Sequence, residues 1–235
     1  MNIALVLAGG TGERMSSGMA VQAGAELPKQ FLPIAGRPML LRALDVFESH
    51  PEIDRIAVVC AARWSGRVKY MLESEFYRKT LPSGAVIEGG CDRRESSFRG
   101  IAALMESGNP DDIVLIHDAA RPLVPARVIS DCIACVKLHD ACAAAIPVTD
   151  TVYYSANGET IGQIPDRRCL YAAQTPQAFR LFLIHEAHCS WNGGPVTDDA
   201  GLLLAQGVPV WITPGDEKNI KLTTPADLPL AERYL

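Results

Sequence analysis

No run in this sequence approaches the roughly 18 consecutive apolar residues of a membrane-spanning helix. No basic N-terminal region leads into a long apolar segment either, so neither a span nor a secretory leader is expected. Positive charge is in deficit: 22 lysines and arginines stand against 27 aspartates and glutamates, a net charge of -5. Nucleic acids and membrane surfaces usually require a basic face, so neither is an expected partner. An anionic ligand would have to be held by a local basic cluster. Cysteine supplies no framework. There are seven, an odd and scattered set. The close pair Cys132-x-x-Cys135 lies in a helical-looking stretch, with no second Cys or His pair at zinc-site spacing. The cysteines read as small apolar residues kept reduced, which points to the cytoplasm. Linkers, repeats and low-complexity tracts are missing too. The 235 residues, 48% of them hydrophobic, are therefore expected to form one domain, 1–235, with an appended arm.

What is present begins at once. The apolar run Ile3-Ala4-Leu5-Val6-Leu7 reads as a strand and breaks into Ala8-Gly9-Gly10-Thr11-Gly12-Glu13-Arg14-Met15. After a small-residue loop comes Pro28-Lys29-Gln30-Phe31. A buried strand running into glycines brings backbone N–H groups against phosphate oxygens, and glycine puts no Cβ in the ligand's way. Arg14 and Lys29 would add two cations, one able to grip phosphate bidentately and one a compact point charge. The pair suits a triphosphate better than an uncharged ligand. Taken alone, the loop also reads as a tight strand-to-helix turn. It is not a Walker A loop, because no Gly-Lys-Ser/Thr follows. It lacks the third glycine of a dinucleotide fingerprint, which speaks against an oxidoreductase.

Downstream, helix and strand patterns alternate. Helices are expected over 38–50, 67–79, 96–106 and 127–138, with strands over 53–60, 85–88, 113–116 and 143–148. Helix-forming sequence returns at 176–189 and 198–205, a last strand is expected at 208–212, and a terminal helix carries Leu228, Leu230, Ala231 and Tyr234. This alternation means a parallel or mostly parallel α/β sheet with helices on both faces. Ligands of such sheets lie beyond the carboxyl ends of the strands. Those ends hold the Gly loop, Gly89-Gly90, His117-Asp118 and Val148-Thr149-Asp150-Thr151.

Two β-prone runs, Thr151–Tyr154 and Thr160–Ile164, flank an Asn157-Gly158 turn and predict a hairpin at about 149–168. It either projects toward a partner subunit or folds back on its own domain. Asp118 fits a Mg²⁺ ligand shared with phosphate oxygens, or else a cap on the turn through Ala119-Ala120. His117 reads as a packed or hydrogen-bonded histidine, and Arg121 as a structural residue tying the turn to a carboxylate. Arg167 and Lys221 would bring the set of cations to four if they converge with Arg14 and Lys29. Cations and Mg²⁺ suit a transfer in which negative charge builds on phosphorus and on leaving pyrophosphate.

Taken together, the chain resembles the methylerythritol-phosphate cytidylyltransferase family and its relative, the ribitol-5-phosphate cytidylyltransferases. The carriers are Leu7–Met15, Pro28–Phe31, Glu88-Gly89-Gly90-Cys91-Asp92-Arg93, Ile116–Pro122, Asp150-Thr151, Gln174–Gln177 and Asn219–Thr223. The resemblance implies a Rossmann-like nucleotidyltransferase with a mostly parallel twisted sheet and a β-arm exchanged in a homodimer. It implies CTP and a polyol phosphate giving a CDP-polyol and pyrophosphate, with Mg²⁺. By matching motif, Arg14, Lys29 and Lys221 serve the phosphates and the transition state. Ala8, Gly9, Gly10, Thr11, Gly12, Gly89, Gly90, Ser96, Asp118 and Ala119 hold the nucleotide, with Asp118 also at the metal. Thr151 and Arg167 hold the second substrate's phosphate from the neighbouring subunit. Ribitol 5-phosphate is the alternative substrate, favoured by Leu7-Ala8-Gly9-Gly10, whereas the Ala119-Ala120 after Asp118 favours methylerythritol phosphate. A non-catalytic nucleotide-binding module is the alternative of a different class. Two departures stand out: a Ser16–Leu27 loop longer than expected, readable as a lid, and Lys218 where relatives sometimes have an acid.

Overall fold

The structure is a computed structural model that describes residues 1–9, 28–80, 86–194 and 196–235. In chain order, β1 (Asn2–Leu7) precedes a 3-10 turn at Lys29–Phe31 and a two-strand ribbon, β2 (Pro33–Ile34) and β3 (Arg37–Pro38). There follow α1 (Met39–Ser49), β4 (Arg55–Cys60), α2 (Ser65–Ser74), β5 (Val86–Glu88), α3 (Arg93–Ser107), β6 (Ile113–Asp118), α4 (Ala126–His139) and β7 (Ala141–Pro147). The chain ends with β8 (Tyr171–Arg180), α5 (Leu181–Cys189), α6 (Asp199–Ala205), β9 (Trp211–Pro214) and α7 (Asp227–Tyr234).

Seven strands make one sheet in the order β5-β4-β1-β6-β8-β7-β9. All pairings are parallel except those of β8 with β6 and β7. The central strand β1 is buried from Ile3 to Leu7, as a strand covered on both faces must be. Its side chains alternate between faces. Ala4 and Val6 join Leu44, Phe47, Val68 and Ile129 of α1, α2 and α4 in one core. Ile3, Leu5 and Leu7 join Ile101, Leu104, Ile184 and Leu203 of α3, α5 and α6 in the other. At Gly100 a Cβ would come within 2.8 Å of Leu5 and Val59, and its absence lets α3 lie close on the sheet. No helix among the described residues is long and apolar enough to cross a membrane.

The structure corrects three expectations from sequence. The helix over 67–79 stops at Ser74, because Tyr77 is tied by its hydroxyl to Asp45 (2.6 Å) and the Lys79 carbonyl accepts from Ile56 N (2.8 Å). Residues 176–180 belong to strand β8, and helix begins only at Leu181. The last strand starts at Trp211, since Val208 N is still engaged by Leu203 O at 3.0 Å. No regular strand forms among the residues of the expected hairpin. Residues 149–164 are exposed throughout, and a single bridge, Tyr154 to Gln163, joins the two runs.

Candidate active site

At the carboxyl ends of β1, β5 and β6 lies a cleft of about 450 Å³. Ala8 and Gly9 enter it after β1, Gly90 to Arg93 and Ser96 at the start of α3, and Asp118 to Ala120 after β6. Lys29 and Gln30 come from the 3-10 turn, and Lys221 and Thr223 from the segment before α7. Local sequence explains these placements. Asp92 caps α3 by accepting from Glu95 N at 2.7 Å, so the first helical turn opens directly behind Gly89-Gly90. The Ser96 hydroxyl accepts from Gly90 N at 3.0 Å. A Cβ on Gly9 would meet that oxygen at 3.4 Å and one on Gly89 at 2.8 Å, so the two glycine turns close around Ser96. Gln30 donates to Ala8 O at 2.8 Å, and Lys29 Nζ to Leu222 O at 3.1 Å.

Asp118 is the electrostatic centre. Its Oδ2 accepts from Lys221 Nζ at 2.7 Å and its Oδ1 from Arg93 Nε at 3.3 Å. Burial opposes ionisation of this carboxyl, but the Arg93 and Lys221 charges outweigh it and hold Asp118 well below the usual carboxylate range. Burial likewise opposes the charge on Arg93, and Asp199 and Asp118 more than restore it. The carboxylate of Asp118 therefore points at cations across the cleft and does not cap the turn, whose Arg121 N bonds the Asp118 backbone carbonyl at 2.9 Å. His117 is the packed histidine expected from sequence. Its Nδ1 lies 3.0 Å from Thr175 Oγ1 and its Nε2 2.9 Å from Arg121 O, and burial pushes its pKa down to about 4. Among the described residues Arg121 reaches no carboxylate side chain. It donates to two backbone carbonyls, Asn219 O at 2.7 Å and Ala173 O at 3.2 Å.

Ala8, Gly9, Lys29, Gly90, Ser96, Asp118, Ala119 and Lys221 thus come together, with Gly89 packed directly behind Ser96. Thr151 and Arg167 do not line this cleft; both are exposed on the arm, where Arg167 Nη1 donates to Thr149 O at 2.9 Å. Gly10, Thr11, Gly12, Arg14 and the Ser16–Leu27 loop lie outside the described residues. Arg93 received no role from sequence, although it stands in the Gly89–Arg93 motif at the first turn of a helix. Asp199, which holds it, carries no local signal at all.

Among the described residues no group of three or more His, Cys, Asp or Glu could hold a metal ion. Among the described residues each Asp118 oxygen has one cationic partner and keeps lone-pair capacity. That suits Mg²⁺ arriving with phosphate oxygens and water better than an ion caged by protein. Lys218 points toward the Tyr234 ring at 6.0 Å and supplies no second carboxylate.

Residues 2–235 match the family model described as IspD, 2-C-methyl-D-erythritol 4-phosphate cytidylyltransferase. The chain is 41% identical over 234 residues to the 2-C-methyl-D-erythritol 4-phosphate cytidylyltransferase of Geobacillus kaustophilus, covering 99% of this chain and 96% of that one. It is 38% identical to the protein of the same name from Syntrophotalea carbinolica, over 94% of this chain and 93% of that one. Among solved structures, the 4-diphosphocytidyl-2C-methyl-D-erythritol synthase of Anaerococcus prevotii superposes with a TM-score of 0.82 at 27% identity, over 100% of this chain and 95% of that one.

Proposed function

Because the chain belongs to the 2-C-methyl-D-erythritol 4-phosphate cytidylyltransferase family, we propose that it joins CTP to 2-C-methyl-D-erythritol 4-phosphate. The products are the CDP-polyol and pyrophosphate, a step of isoprenoid precursor synthesis. The observation that carries this reading is the meeting of Lys29, Lys221 and Asp118 with two glycine turns at one end of a mostly parallel sheet. A pure binding module would have no need of so many cations around the phosphates.

No covalent nucleophile is needed. A phosphate oxygen of the polyol substrate attacks the α-phosphorus of CTP in line, and the bond to the β-phosphate's bridging oxygen breaks as pyrophosphate leaves. Rate then rests on positioning and on charge stabilisation. The turns at Ala8-Gly9 and Gly89-Gly90, with Ser96 between them and Ala119 beside them, hold the nucleotide, and the family motif assigns Gly10, Thr11 and Gly12 to the same task. Lys29, Lys221 and Arg14 oppose the charge that builds on phosphorus and on the leaving group. Asp118 would hold Mg²⁺, which would supply further neutralisation of the phosphates. Thr151 and Arg167 hold the phosphate of the second substrate in a neighbouring subunit's cleft. The exposed apolar residues Val152, Tyr153, Tyr154, Ile161 and Ile164 along the arm support such a homodimer. The protein works in the cytoplasm.

The test is pyrophosphate release from CTP on addition of the polyol phosphate, with and without Mg²⁺. Release that needs all three components supports the proposal. CTP binding without turnover would reduce the protein to a nucleotide-binding module.

A further inference from the structure

Arg93 is engaged from two sides by carboxylates distant in sequence. Its Nε faces Asp118 Oδ1 at 3.3 Å, and its Nη1 faces Asp199 Oδ2 at 2.8 Å. Asp118 stands at the cleft. Asp199, the first residue of α6, is 1% exposed. The other oxygen of Asp199 accepts from Ser97 Oγ at 2.6 Å and lies 3.1 Å from His188 Nε2. Nδ1 of His188 is buried with no hydrogen-bond partner among the described residues. A lone pair is tolerated there better than an N–H, which puts the ring proton on Nε2, donating to Asp199. The guanidinium of Arg93 faces the other oxygen of Asp199.

Two carboxylates on one guanidinium define what Arg93 can do. Its charge is already met, and met from behind by a group that solvent does not reach. The four charges linked in this ion-pair cluster, Arg93 and Lys221 against Asp118 and Asp199, sum to zero. We propose that Arg93 is a positioning residue: anchored by Asp199, it fixes the Asp118 carboxylate at the cleft without itself gripping the phosphates. Phosphate handling is left to Lys29, Lys221 and Arg14, and Ser97 and His188 act only through Asp199. This inference rests on the activity proposed above.

Removing one partner alone would leave a buried, uncompensated charge, so the informative variant is the neutral pair Arg93→Gln with Asp199→Asn. It keeps both hydrogen-bonding side chains and leaves the net charge of the cluster unchanged. With wild type assayed alongside, the pair is expected to bind CTP with a Kd within about threefold of wild type by calorimetry, while kcat falls about tenfold or more because Asp118 loses its second anchor. A folded pair with wild-type kcat would overturn the positioning role. A Kd for CTP weakened about tenfold with kcat retained would overturn it too, making Arg93 a phosphate-binding cation. Should the pair fail to fold, Ser97→Ala decides. That variant removes only one hydrogen bond to Asp199, and a kcat loss of about threefold at unchanged CTP affinity supports the anchor, whereas unchanged kcat overturns it. A silent wild-type protein would instead take down the activity on which the inference rests, and would be seen as such in the same experiment.

Discussion

Lys221 Nζ stands 2.7 Å from Asp118 Oδ2 although 103 residues separate them. Two bonds at Leu222 hold the cluster together: its backbone N donates to Ala120 O at 2.8 Å, and its carbonyl accepts from the Lys29 side chain Nζ at 3.1 Å. The turn after β6, the segment before α7 and the 3-10 turn are thereby stitched into one basic and acidic cluster. The sheet places the first of these, and the other two are brought to it.

Lys221→Ala and Lys29→Ala are each expected to lower kcat/KM by a factor on the order of 10² or more, the usual loss when one donor to a developing oxyanion is removed. The fold should survive, because Asp118 keeps Arg93 and the Lys221 side chain is 41% exposed. Steady-state kinetics beside a thermal melt would check this. Near-normal turnover in either variant would remove that lysine from the chemistry.

Arg167→Ala should raise the KM for the polyol phosphate more than the KM for CTP, since Arg167 lies on the exposed arm and not in the cleft of its own chain. Mixing Lys29→Ala with Arg167→Ala subunits should then restore some activity, because one of the two clefts in a mixed dimer would carry neither change. Mixed dimers without recovery would mean that each site is built within one chain.

Gly89→Ala tests the glycine turns. The added methyl would lie 2.8 Å from Ser96 Oγ, forcing that hydroxyl away from Gly90 N. The KM for CTP is expected to rise about tenfold, equivalent to about 1.4 kcal/mol, with little change in the KM for the polyol. A variant with unchanged CTP kinetics would show that Ser96 and the turn do not contribute to nucleotide binding.

His117 predicts an acid-sensitive fold. Burial lowers its pKa from the ordinary 6.5 to about 4, so between these values the folded protein binds fewer protons than the unfolded chain. The associated stability is fully present above pH 6.5 and declines as pH falls toward 4, by about 3 kcal/mol in total. Asp118, also depressed, acts in a separate window below its own ordinary value of 3.8. Denaturant unfolding between pH 7.5 and 4.5 should show the decline, and His117→Gln should flatten it. Equal slopes in the two proteins would assign acid sensitivity elsewhere.

Much of this was legible in the chain itself. The apolar runs of β1, β4 and β6 are strands covered on both faces, and the residues after β1, β5 and β6 line the cleft, as the ligand rule for parallel sheets requires. Strand β8 was not legible. Ala172, Ala173, Gln174, Gln177 and Ala178 are helix-compatible, and Pro176 argues against an inner strand. Its extended state is imposed by β6 on one side and β7 on the other. The anchoring of Arg93 by Asp199 was hidden for a related reason. The pair is 106 residues apart, and the packing of α5 against both α3 and α6 brings the carboxylate to the guanidinium. Short-range patterns foretell strand ends, while buried ion pairs between elements depend on the completed fold.

The measurement that bears most directly on the central claim is pyrophosphate release with CTP and Mg²⁺, offering methylerythritol 4-phosphate and ribitol 5-phosphate side by side. The account predicts a kcat/KM preference of several hundredfold for methylerythritol 4-phosphate, equivalent to about 3–4 kcal/mol of transition-state discrimination. An equal preference for ribitol 5-phosphate would contradict it and move the same cleft and the same lysines to the supply of a polymer precursor.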